Sequence, residues 1–81
     1  MTNRKQIEVR RYHCPEITND NYQRLEKAIG HLAGVETPGI VIPTQTISLY
    51  FQPELISETQ LLQILLAAGF PLEPIPSQTL N

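Results

Sequence analysis

The strongest constraint on this chain is a strict alternation of apolar and polar side chains at positions 46–51. Ile47, Leu49 and Phe51 alternate with two hydroxyl residues and a tyrosine. A period of two is typical of a β-strand that buries one face and leaves the other in water. The chain of 81 residues has room for one small domain built around this strand.

A helix is predicted directly after this strand. Ser57 and Gln60 have the spacing of a capping box, and Ile56 with Leu61 has the spacing of a hydrophobic staple. Both patterns are typical of a helix N-terminus. Gly69 is placed to end the helix in a left-handed turn, which glycine adopts without steric cost.

The first half of the chain shows the same order of patterns. Residues 6–12 alternate as a strand would, and Val9 is assigned to the buried face. Tyr12 then falls on the outer face of the sheet, together with Tyr50. A proline makes the segment 13–17 a loop.

A first helix follows that loop. Asp20 and Gln23 approximate a second capping box, and Gly34 is placed to close the helix. The apolar residues at helical spacing between them are Tyr22, Leu25, Ala28, Ile29 and Leu32.

Prolines limit the two remaining strands. Val35 and the segment 40–42 favour a strand, but a Pro-Gly pair between them predicts a bend or bulge. The prolines of segment 71–74 leave room only for a short edge strand around Leu72, because proline cannot donate to a central ladder.

The predicted order is strand, helix, strand, strand, helix, strand. Two right-handed βαβ units of this kind form an α+β, ferredoxin-like βαββαβ sandwich, with a four-stranded antiparallel sheet and both helices on one face. We expect a single domain at 5–75, a flexible N-terminus at 1–4 and a flexible C-terminal tail at 76–81.

The composition excludes several classes of protein. With 41% hydrophobic residues and a net charge of -2, the chain is neither a charged disordered tail nor a basic nucleic-acid binder. Its most apolar run, 61–70, is shorter than the roughly 18 residues that cross a membrane. Cys14 is the only cysteine, which excludes an internal disulfide and fits a reducing compartment. We therefore expect a cytoplasmic protein that does not bind membranes.

Segments 25–35, 49–57 and 65–70 occur in an order and spacing that resemble the heavy-metal-associated (HMA) domain family. The first is similar to that family's helix and Leu-Pro-Gly-Val turn, the second to its third strand and capping serine, and the third to its Ala-Gly-Phe helix end. The family contains small copper and mercury carriers and modules of metal-pumping ATPases. The resemblance implies a ferredoxin-like fold over most of residues 7–72.

The family's metal motif, Gly-Met-x-Cys-x-x-Cys, is incomplete in this chain. With Cys14 aligned to the first motif cysteine, Ile17 replaces the second. With the helix as anchor, Thr18 and Asn21 occupy the two cysteine positions. Cu(I) in such carriers is held by two soft thiolates, so we expect the two-cysteine site to be lost.

Cys14 and the adjacent His13 are the remaining candidate metal ligands. With the nearby Glu16 they would form a mixed site for Cu(I) or another soft metal, although neighbours on an extended segment point in opposite directions. One alternative is a metal shared by the Cys14 thiolates of two copies in a homodimer. The other is a thiol in a loop beside a surface histidine, with no metal.

The charges are distributed unevenly, because all six Lys and Arg residues lie between Arg4 and Lys27, whereas positions 28–81 carry four acids. Arg10, Arg24 and Lys27 belong to the first strand and helix, which are neighbours in this fold. They are predicted to form a docking patch for a protein partner with an acidic surface. The alternative is a solvated charged face.

Two functions are consistent with these patterns. The first is a small non-enzymatic HMA-like module that docks on a protein partner as a regulator or adaptor. The second is an atypical soft-metal carrier that uses Cys14, alone or across a dimer. One cysteine and two histidines without an oxyanion signal argue against an enzyme. The strand at 46–51 carries no cation, which argues against nucleic acid as the partner.

Overall fold

Residues 6–75 are described by the computed structural model. The elements, in chain order, are β1 (Glu8–His13), α1 (Tyr22–Gly30), β2 (Gly39–Val41), β3 (Thr46–Phe51), α2 (Glu58–Ala67) and β4 (Glu73–Pro74). The strands form one antiparallel sheet in the order β2-β3-β1-β4. This is the predicted ferredoxin-like βαββαβ sandwich.

The central strand β3 organises the core. Its odd positions, Ile47, Leu49 and Phe51, are each at most 1% exposed, whereas its even positions are half-buried. The strand is thus covered on one face only, and the buried residues of both helices join the same apolar cluster. The predicted alternation of β3 is confirmed, and both helices lie on one side of the sheet.

The predicted orientation of the first strand is wrong. Tyr12 lies opposite Ile47 in the ladder and is 7% exposed, whereas Val9 lies opposite Tyr50 and is 42% exposed. Residues directly opposite in an antiparallel pair project from the same face, so pairing with β3 turns Tyr12 inward and Val9 outward. The strand also extends to His13, one residue beyond its predicted end.

Both predicted ends of the second helix are confirmed. The Ser57 side chain accepts a hydrogen bond from the Gln60 backbone N–H, and the Gln60 side chain accepts from the Ser57 N–H. At the other end Gly69 has a φ of 96°. The N–H groups of Gly69 and Phe70 donate to the carbonyls of Leu66 and Leu65, which is the Schellman arrangement.

The predicted capping box of the first helix is wrong. The cap residue is Asn21, and it makes no side-chain capping hydrogen bond to the helix. Asp20 lies before the cap, where its N–H donates to the Thr18 hydroxyl. The helix ends at Gly30, and Gly34, with a φ of 88°, forms the turn that follows.

The second strand, predicted to be bent or bulged, is interrupted instead between its two apolar parts. Val35 forms an isolated bridge with Phe51, and β2 begins only at Gly39. The predicted edge strand near Leu72 is the two-residue β4. The predicted flexible ends, 1–4 and 76–81, lie outside the described residues. Neither helix of residues 6–75 has the length and apolar character that a membrane span requires.

We predict that Leu49→Asp unfolds the protein. The substitution places an unpaired charge among buried apolar side chains, at a cost of several kcal/mol. A domain of this length has a free energy of unfolding of about 4–12 kcal/mol. Urea denaturation followed by circular dichroism measures the effect. Ser48→Asp, on the half-buried outer face of the same strand, is the control and should retain a cooperative transition. A native-like transition in Leu49→Asp would contradict the assignment of the buried face.

Candidate functional site

The loop between β1 and α1 is the part of the fold where the resemblance places a metal site. Its first residue, Cys14, is fully buried, and its N–H donates to the Gln45 carbonyl over 2.7 Å. The Gln45 side-chain amide donates to the carbonyls of Pro15 and Ile17 at 3.0 and 3.3 Å. Gln45 lies in the β2–β3 connection with a φ of 55°. The hairpin therefore fixes the first half of the loop.

The second half of the loop is closed by its own side chains. The Asn21 Oδ1 accepts a hydrogen bond from the Thr18 N–H, and its Nδ2 donates to the Glu16 carbonyl, both at 2.8 Å. The Thr18 hydroxyl accepts from the Asp20 N–H at 3.1 Å. Thr18 and Asn21 are the positions that align with the motif cysteines when the helix is the anchor. Their side chains already bind the loop backbone.

The structure places His13 and Cys14 on opposite sides of the sheet. His13 lies on the outer face, where its Nδ1 is 3.2 Å from the Glu73 carboxylate of β4. Cys14 belongs to the buried core cluster. The side chains of consecutive residues in an extended strand point to opposite faces of the sheet. Within residues 6–75, no three His, Cys, Asp or Glu side chains are grouped as metal ligands.

Burial raises the pKa of the Cys14 thiol above its ordinary value, because the thiolate would lose its hydration. Backbone hydrogen bonds from Glu16 and Ile17 oppose this shift, and the Glu16 charge adds to it. The net effect is a raised pKa for Cys14. The thiolate is the form that binds soft metals, and burial disfavours this form of Cys14.

The three predicted docking cations do not form a single cluster. The Arg10 guanidinium is 2.9 Å from Glu8 and 3.6 Å from Glu58, the first residue of α2. The Arg24 guanidinium lies 4.9 Å from the ring centre of Phe70, beyond the other end of α2. A ten-residue helix is about 15 Å long, so α2 separates the two guanidinium groups.

Arg24 and Lys27 do share one side of α1. They are three residues apart, a spacing that brings side chains together on a helix surface, and both are exposed. His31 continues the same stripe and contacts the Lys27 carbonyl at 3.2 Å. Neither cation forms an ion pair with another described residue. The basic face of α1, defined as Arg24, Lys27 and His31, is exposed to solvent.

The structure also shows a cleft that the sequence interpretation missed. It has a volume of about 550 Å³ and is lined by Val9, Arg10, Arg11 and Ile75. The alternation of residues 6–12 is compatible with either face being buried, so it does not predict this cleft. Pairing with β3 turns Val9 and Arg11 to the outer face, the reverse of the predicted orientation.

Comparison with known proteins identifies the fold of this chain. No protein-family model and no curated protein matches the sequence, but solved structures do. Oxidised MerP from Ralstonia metallidurans CH34 superimposes with a TM-score of 0.75 at 20% identity, covering 84% of this chain and 96% of that one. This chain therefore has the HMA-like fold that the sequence predicted.

Two further structures show the same likeness. One is the N-terminal domain of a potential copper-translocating P-type ATPase from Bacillus subtilis in the Cu(I)-loaded state, with a TM-score of 0.76, 18% identity and coverage of 85% and 88% of the two chains. The other is the apo HMA domain of a copper chaperone for superoxide dismutase, with a TM-score of 0.69, 13% identity and coverage of 100% and 82%. At these identities the likeness concerns the fold.

The side chains of the loop do not fit a two-thiolate Cu(I) site within one subunit. With the helix as anchor, the motif positions carry a hydroxyl and an amide, which are harder ligands than Cu(I) prefers, and both are engaged in closing the loop. With Cys14 as the first motif cysteine, the second position is the apolar Ile17. The only thiol, Cys14, is fully buried and lies on the core side of the loop.

We predict that the free energy of unfolding decreases above pH 9 because of Cys14. The pKa of the thiol is 9.0 when the chain is unfolded, and burial raises this pKa when the chain is folded. Between those two values the folded state binds more protons than the unfolded state, so stability falls as the pH rises. Urea denaturation at pH 8 and pH 10 measures this loss. In Cys14→Ala the decrease should be smaller; an equal decrease in both proteins would contradict the prediction.

Proposed function

We propose that this chain is a non-enzymatic, cytoplasmic HMA-like module that docks on the acidic surface of a protein partner, as a regulator or adaptor. The observation that carries this proposal is the closure of the β1–α1 loop by Asn21 and Thr18. Their polar atoms bind the loop backbone at 2.8–3.1 Å. A metal at these positions would have to break those hydrogen bonds and would gain no thiolate in return.

The basic face of α1 supports docking on an acidic partner. The Phe70 ring restricts the Arg24 guanidinium through a cation–π contact, so less side-chain entropy is lost when a carboxylate binds it. Lys27 lies in the last turn of α1 and adds a second exposed charge. Exposed charges of this kind increase association rates more than they increase affinity. Arg10 lies apart from this face and is engaged with Glu8 and Glu58.

A soft-metal carrier is the second candidate, and it is favoured by one observation. The solved structures with the same fold include a Cu(I)-loaded ATPase domain, and this chain retains one thiol in the corresponding region. To bind Cu(I), Cys14 would have to leave the core, and a single thiolate would need a second ligand. His13 after a change of the loop, or Cys14 of a second copy, would supply it.

We predict that the reduced protein does not bind Cu(I) tightly, because its single thiol, Cys14, is buried. Competition with a chromogenic Cu(I) chelator under anaerobic conditions measures the binding. Tight binding with one or one-half equivalent of Cu(I), abolished by Cys14→Ala, would reject the docking module in favour of the carrier. The Thr18→Cys/Asn21→Cys double variant is the positive control. It should bind one equivalent, because it restores two thiols at the aligned positions.

We predict that Arg24→Glu/Lys27→Glu weakens partner binding at least about tenfold, since two favourable charges become repulsive. The partner is first captured from a cell extract with the immobilised chain and identified, and its affinity is then measured with purified proteins at two salt concentrations. Thr59→Glu/Gln63→Glu, which adds acid at exposed positions of α2, is the control and should bind within about twofold of the unaltered chain. Equal affinities for the charge-reversed and unaltered chains would remove the support for docking through α1.

A further inference from the structure

The exposed side of α2 carries apolar side chains. Leu66 is 60% exposed, the largest fraction of any large apolar side chain among residues 6–75. Leu62, one turn earlier, is half-buried. Glu58 is the only charged residue of the whole helix. A surface helix ordinarily carries charged and polar residues on the side that faces water, so this side of α2 is a candidate contact surface.

One row of side chains along α2 has opposite charges at its two ends. Glu58, Leu62 and Leu66 are spaced four residues apart, so they form one ridge on the helix surface; we call these three residues the α2 ridge. The same spacing leads next to Phe70, just beyond the helix. The Arg24 guanidinium lies 4.9 Å from the centre of the Phe70 ring. The ridge therefore runs from a carboxylate, over two leucines, to a guanidinium.

Both charges can accept a further partner. Arg24 is exposed and forms no ion pair with another described residue. It lies against the end of the helix, since a Cβ atom on Gly69 would be 3.5 Å from one of its guanidinium nitrogens. The Glu58 side chain is 37% exposed. Its distance to the Arg10 guanidinium is 3.6 Å, whereas Glu8 lies 2.9 Å from the same group.

The α2 ridge is complementary to itself. When two copies pack their ridges antiparallel, Leu62 of each copy can lie beside Leu66 of the other. The same offset of four residues brings Glu58 of each copy to Phe70 of the other, where the Arg24 guanidinium lies. Two carboxylate–guanidinium pairs then enclose the leucine contact, one at each end. A two-fold axis generates this arrangement, because it brings the same patch of both subunits together.

We propose that this chain forms a weak homodimer in which the α2 ridges of two copies pack antiparallel, with Glu58 of each copy paired to Arg24 of the other. A contact between two helices of ten residues is smaller than a standard interface of about 1,600 Å², so we expect a Kd of roughly 0.01–1 mM. The dimer goes beyond the proposed docking function, but both use Arg24. An acidic partner and a second copy therefore compete for the same guanidinium.

Sedimentation equilibrium of the full chain from about 10 μM to about 2 mM measures the dimer. Leu66→Asp should raise the Kd at least about tenfold, because each dimer then buries two unpaired carboxylates against leucines. Val41→Asp is the matched control. Val41 is also an exposed aliphatic residue, at 49%, but it lies opposite Thr46 on the sheet face away from the helices, so the Kd should change less than about twofold. A chain that is monomeric over the whole range would overturn the proposal, as would equal effects of the two variants.

Two charge-reversed variants test the pairing between copies. Arg24→Glu and Glu58→Arg each join like charges at both ends of the ridge contact, so each variant alone should dimerise at least about tenfold more weakly. An equimolar mixture of the two should dimerise again, because every charge then meets its opposite in the other copy. Glu36→Arg, which makes the same change of charge at an exposed position before β2, is the matched control and should dimerise as the unaltered chain does. A mixture that stays monomeric would overturn the proposal.

Other occupants of the α2 ridge give distinct results. We expect ¹H–¹⁵N NMR to show amide shifts along α2 as the protein concentration rises; shifts confined to other elements would overturn the proposal. Nuclear Overhauser contacts from residues 1–5 or 76–81 to Leu66 in the monomer would assign the ridge to the chain itself, with the same consequence. A purified partner that binds Leu66→Asp more weakly, while the unaltered chain stays monomeric, would assign the ridge to a different protein. The proposed docking function is measured at about 1 μM, where the chain is monomeric, so failure of the dimer leaves that function untouched.

Discussion

The burial of one face of β3 is the interaction on which the rest of the structure depends. Ile47, Leu49 and Phe51 are almost completely removed from solvent, and each buried side chain of this size stabilises the fold by about 1.5–3 kcal/mol. The strand lies between β2 and β1, so its face determines theirs. Once Leu49 is inside, the register turns Arg10 toward the helices and Arg11 toward the outer surface.

This register also determines the state of the only thiol. Because Tyr12 faces inward, Cys14, two residues later, continues the inner face and is fully buried. His13 between them must then point outward, where it contacts Glu73. The two residues that would form a mixed metal site are therefore separated by the sheet itself. The loop that follows is held by Gln45 and closed by Asn21.

The described cations lie in two different places in the fold. Arg24 and Lys27 lie on α1 and are exposed to solvent. The Arg24 guanidinium makes a cation–π contact with the Phe70 ring. Arg10 and Arg11 lie at the edge of β1, one on each face of the sheet. In the proposed docking function, the exposed cations of α1 supply long-range attraction, since charges act over distance.

The sequence by itself determined the order of elements, the buried face of β3 and both ends of α2, because each depends on local periodicity or local capping chemistry. It also determined that no pair of thiols exists. Only the tertiary structure decided which face of β1 is buried. The alternation of residues 6–12 is compatible with burial of either the odd or the even positions, and pairing with β3 selects the even ones. The same pairing, between residues some 40 positions apart, put Cys14 in the core and Arg11 on the outer face of the sheet, and no local pattern contains that information.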